Sequence, residues 1–172
     1  MLAALLMRRI TLLAWALLAG PPLLAGGDKP GAGVSFHLET EAGGNPKMTF
    51  EQLVAGEQRY FHRTPEISTR DIIAFSPFPS EDPGSYGVLF KLNRRGANRL
   101  AALSAANQGR WLCAAINGNV VDAVIIDKPV DDGELVIWKG VTLPEIKQFD
   151  KVCPRFGRQV MEEQEKGKRK RD

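Results

Sequence analysis

The tightest constraint on the fold lies between residues 111 and 139, where three apolar or β-branched runs are separated by Asn117-Gly118 and Asp132-Gly133. Both pairs tolerate positive φ at the centre of a two-residue turn, and such a turn matches the twist of antiparallel strands. The runs at 111–116, 119–127 and 134–139 are therefore expected to form a three-stranded meander. Residues 86–92 read as another strand, and so do residues 71–78, although Pro77 and Pro79 lack amide donors and either confine that strand to a sheet edge or end it.

Helix signals sit between and after these strands. Asn93 is an N-cap, Ala97, Leu100, Ala101, Leu103 and Ser104 recur near helical spacing, and Gly109 after Asn107 is a stop. Thr142 with Glu145 forms a capping box over a last helix at 143–152, with Pro144 in its first turn. In the first third, residues 34–38 alternate as a strand that points His37 to solvent. Thr49 with Gln52 resembles a capping box for a short helix to Ala55, and residues 56–69 read as a loop or a short irregular element. The sum is an α+β domain with helices on one face of a mainly antiparallel sheet.

That domain occupies residues 34–153 of the 172, a length suited to one core. Before it, Arg8 and Arg9 precede an apolar run at 10–16, and Ala25-Gly26-Gly27 offers the small residues of a cleavage site. Residues 1–27 thus read as a secretory signal, followed by a Gly/Pro linker at 28–33. The rival reading is an uncleaved anchor, but residues 10–24 fall short of the ~20 apolar residues a span needs. Export places the domain in the periplasm or cell envelope. Residues 28–165 hold 16 Lys and Arg against 19 Asp and Glu, whereas 166–172 hold five basic residues and one acidic. The body is mildly acidic and residues 154–172 form a basic tail. In an oxidising compartment Cys113 and Cys153 either form one bridge or remain two buried thiols.

Motifs of catalysis are lacking. Neither His37 nor His62 stands in a metal-ligand spacing, and the chain has no nucleophile elbow, phosphate loop or CxxC pair, so no cofactor is expected. The best carboxylate cluster, Asp122, Asp127, Asp131, Asp132 and Glu134, reads first as solvated turn residues and second as a cation site centred on Asp127 and Asp131. Trp111 and Trp138 read as core or edge packing rather than ligand contacts.

Residues 87–130 carry an ordered series: Val88, Phe90, Leu92-Asn93, Gly96-Ala97, Asn107, Gly109, Leu112, Ile116, Gly118, Val120, Ala123, Ile126 and Pro129-Val130. The series resembles the periplasmic head subdomain of SecD, an accessory component of bacterial protein export, and a looser likeness extends over 34–149. The resemblance implies a head-like fold in which Asn93, Gly96, Ala97, Asn107, Gly109, Gly118 and Pro129 mark turns, caps and packing rather than catalysis. Asn117, Asp122 and Val124 depart from the family's usual residues, and residues 131–134 replace its Gly-rich segment. Unlike SecD, this sequence has no apolar segment after Leu24 long enough to span a bilayer.

The expected function is that of a non-enzymatic exported protein holding extended polypeptide or docking on an envelope protein. The strand edge at Ile72, Ile73 and Phe75 is the expected contact. No specific nucleic-acid binding is expected of an acidic exported body. Lys166, Lys168, Arg169, Lys170 and Arg171 offer peripheral contact with anionic lipid. The alternatives are a small envelope enzyme using the Asp127/Asp131 region and a structural adaptor.

Overall fold

The computed structural model describes residues 33–156. The proposed signal, nearly all of the linker and most of the basic tail lie outside the described residues.

Among the described residues, nine strands and two α-helices, with one 3-10 turn at Thr69–Asp71, follow in the order β1 (Val34–Thr40), β2 (Thr49–Val54), β3 (Glu57–His62), β4 (Ile67–Ser68), β5 (Ile72–Pro79), β6 (Tyr86–Leu92), α1 (Arg94–Ala106), β7 (Trp111–Ile116), β8 (Asn119–Ile125), β9 (Glu134–Val141) and α2 (Leu143–Phe149). Every strand ladder is antiparallel. The strands form two sheets, one in the order β2-β3-β1-β7-β8 with β4 also on β1, the other β5-β6-β9.

Alternation along β1 and β7 gives the larger sheet two buried faces. Phe36 and Leu38 of β1 join Leu112, Ala114 and Ile116 of β7 in the larger core, together with Leu100 of α1 and Ile146 of α2. The inner residues of β5-β6-β9 close that core, and Phe36, Phe75, Phe90 and Phe149 pack edge to face with centroids 5.6–6.2 Å apart. Such pairs add roughly 0.5–1.5 kcal/mol each beyond burial. On the opposite face of β7, Cys113 meets Val54 and Phe61 in a second, smaller core.

The second core corrects the reading of the first third. Residues 49–54 are a strand, not a helix, and residues 57–62 are its hairpin partner, not a loop. Alternation decides the matter: Phe50 and Val54 belong to the smaller core, while Glu51 and Leu53 face solvent. The turn is Ala55-Gly56, both at positive φ.

The expected meander is corrected as well. β9 pairs with β6 rather than with β8. After β8 the chain does not turn back: Ile126 is buried in the larger core, and the Val130 N–H donates to the Ser104 hydroxyl of α1 at 2.8 Å. That path delivers the Gly133 carbonyl to the Leu92 N–H of β6.

The structure also places the residues that carried the resemblance. Asn93 Oδ1 accepts the Gly96 N–H at 2.8 Å, and Asn107 Nδ2 donates to the Leu103 carbonyl at the far end of α1. A Cβ on Gly96 would lie 2.9 Å from that of Asp71, and one on Gly133 would lie 2.8 Å from that of Ala97. Gly118 completes the β7–β8 turn, Gly109 donates to the Ile126 carbonyl, and Pro129 lies on the crossing past α1.

Candidate functional site

The β2–β3 hairpin leaves β1 early. β3 pairs with β1 only at Glu39↔Phe61 and Thr40↔Tyr60, and the next stretch of that edge is taken by β4. Freed from the ladder, the hairpin folds over the outer face of β1, β7 and β8. His37 acts as a strut in the gap, its Nδ1 donating to the His62 carbonyl at 2.8 Å. A carbonyl can only accept, so Nδ1 carries the proton and Nε2 accepts from the Ser35 hydroxyl. His37 is therefore not on the solvent side but 8% exposed, and burial holds its pKa below the ordinary 6.5. Glu39 ties the hairpin down: its carboxylate takes Arg59 Nη1 at 2.7 Å and the Trp111 N–H at 2.9 Å.

Under the hairpin runs a trough made of two adjoining cavities. The larger, about 650 Å3, is lined by Ser35, His37, Phe50, Arg63 and Asn119. The smaller, about 390 Å3, lies among Val54, Trp111, Asp122 and Lys139. Gln52 and Val120 stand in the walls of both.

The sheet edges around this trough are managed unequally, and unpaired edges are where added strands pair. β8 and β9 shield each other: Asp122 accepts the Ala123 N–H at 2.9 Å and the Trp138 N–H at 2.7 Å. β5 carries Pro77 and Pro79, and its Phe75 is already bonded to residues 154–156. β2 is different. The two-residue turn makes Val54↔Glu57 the closing pair, so alternation turns the backbone groups of Glu51 and Leu53 away from β3. Among the described residues, their only bond is a 3.4 Å contact from the Gln52 side chain to the Leu53 carbonyl.

The structure separates the other candidates. Ile73 is exposed in a bulge of β5, Ile72 is half-buried, and Phe75 is fully buried, so the three do not form one open edge. Cys113 and Cys153 are unbridged and belong to different cores, on opposite faces of β7. Burial and the Asp122 charge push the Cys113 thiol up to about 12; burial and Asp150 push Cys153 to about 11. The five acidic residues do not converge, and among the described residues no group of three metal-ligating side chains comes together. Trp111 is half-buried under the Arg59 guanidinium, whereas Trp138 is 59% exposed and edge-on to Phe78. Of the core and edge packing expected for Trp138, the structure shows the edge form: alternation along β9 buries Leu135 and Ile137 and turns Trp138 outward against Phe78.

No family model matches the chain, and no curated protein matches its sequence. Among solved structures it is similar to SecDF, described as a membrane component that enhances protein export, at 16% identity and a TM-score of 0.49 over 68% of this chain and 59% of that one. It is also similar to SecDF in its super-membrane-facing form, at 15% identity and a TM-score of 0.47 over 71% of this chain and 18% of that one. The chain thus spans less than two thirds of either. Among the described residues no helix is long and apolar enough to cross a membrane.

Proposed function

We propose that this protein is a non-enzymatic, exported module that holds an extended polypeptide as an added strand on β2, above the trough. The observation that carries the reading is the β2 edge itself, where Glu51 and Leu53 direct backbone donors and acceptors outward and, among the described residues, nothing is bonded to their N–H groups. An added strand satisfies that row with main-chain bonds and drops alternate side chains toward the cavities. Protein export supplies the ligand class, since a chain emerging from a translocase is extended and unpaired. The basic residues 166–171 would then hold the module near anionic lipid, and salt-sensitive vesicle binding is the corresponding expectation.

Leu53→Pro tests the edge directly, because it deletes an outward N–H that bonds nothing among the described residues. Affinity for a reduced, unfolded polypeptide is expected to fall roughly tenfold or more, with Leu53→Ala much less affected. Equal affinity of a folded Leu53→Pro variant and the parent would sink the β2 assignment.

A further inference from the structure

The β5 edge already holds a strand. The Phe75 N–H donates to the Pro154 carbonyl at 3.1 Å and the Phe75 carbonyl accepts the Phe156 N–H at 2.9 Å, a parallel bridge centred on Arg155. Side chains fix the register. Arg155 places Nε and Nη2 on the two oxygens of Asp150 at 2.7 and 2.8 Å, with its guanidinium 5.7 Å from the Phe75 ring. The Phe156 ring lies 5.6 Å from the Lys91 ammonium. Pro77 and Pro79 offer no N–H and Ile73 sits in a bulge, so Phe75 is where this edge engages a strand through both donor and acceptor.

We propose that the β5 edge is a strand-accepting site whose resident occupant is Pro154–Phe156. An extended segment of the same chemistry, an arginine followed by an aromatic residue and running parallel to β5, competes for it in trans. The site is separate from the β2 edge and stands whether or not β2 binds polypeptide. Two features make exchange feasible. The clamp is half in solvent, with Arg155 and Asp150 side chains 43% and 30% exposed. The backbone bridge spans one residue of β5, so release leaves the β5–β6 ladder whole. The resident segment wins at rest because its tether gives it a high effective concentration.

The test uses full-length protein and a synthetic peptide carrying residues 152–158 with serine at the Cys153 position. Arg155→Glu sets two carboxylates against each other and should release the resident segment, leaving the Phe75 backbone open to the peptide. The expected result is faster exchange of the Phe75 amide with Ile137 still protected, and peptide affinity roughly tenfold or more above that of the parent. A peptide with glutamate in place of arginine should not bind. Phe156→Ala gives an independent release with the charge pair kept. Unchanged Phe75 exchange in both variants, or equal peptide affinity for variant and parent, overturns the proposal.

Discussion

His37 is where one side chain couples the trough to pH. Its ring is neutral, buried and bonded on both nitrogens, and burial lowers its pKa. Well above 6.5 the ring is neutral in the folded and the unfolded chain alike. As pH falls through that value the unfolded chain takes up a proton that the folded one refuses, so stability drops until the folded ring also titrates. Denaturant midpoints should therefore fall between about pH 7 and 5, and His37→Gln should flatten that slope; an identical slope in the variant would contradict the assignment. The cysteines give a second expectation at this scale. With both thiols raised to about 11 and about 12, the native protein at neutral pH should resist alkylation and show no mass change on reduction. Modification of both cysteines without denaturant, or a mass gain on reduction, would contradict the two-core placement. Asp71, a residue the sequence reading passed over, is 2% exposed and accepts from the Ser68 N–H and, at 3.4 Å, from Arg99. Removing it as Asp71→Ala should cost about 1–3 kcal/mol by chemical denaturation.

The turn that builds β2 and β3 explains both a strain and a misreading at the level of elements. Ala55 sits at φ 52, where a side chain other than glycine or asparagine is disfavoured. Ala55→Asn should raise stability by about 0.5–1 kcal/mol, seen as a melting temperature higher by a few degrees; a lower one would show that the turn is not of this type. The β7–β8 hairpin uses Asn117-Gly118 at φ 52 and 83, and that chemistry was legible in the sequence. So were the cap of α1, the box over α2 and the proline-marked edge of β5. The β2–β3 hairpin was not, because alanine stands where a turn signal belongs and β3 is mostly polar. Thr49-x-x-Gln52 matches a helix start, yet Phe50 and Val54 gain burial against Phe61 and Cys113 only as a strand. The candidate β2 edge was lost with the hairpin. At β5 the edge was legible but its occupant was not, since nothing in Pro154-Arg155-Phe156 marks a strand until Phe75 and Asp150 are placed beside it.

For the whole molecule, two cores on opposite faces of β1 and β7 divide the labour. The larger one, shared by both helices and both sheets, holds the domain together, while the smaller one suspends a hairpin that keeps an unpaired edge over a trough. Strand addition at that edge is the central claim, and it predicts where a bound polypeptide protects the backbone. The most direct measurement is amide hydrogen exchange, residue by residue, with and without a saturating unfolded polypeptide. The account predicts that the Glu51 and Leu53 amides, open in the unliganded protein, become protected on binding, while Gln52, already paired to Arg59, changes little. Protection appearing elsewhere with Glu51 and Leu53 still open would contradict it.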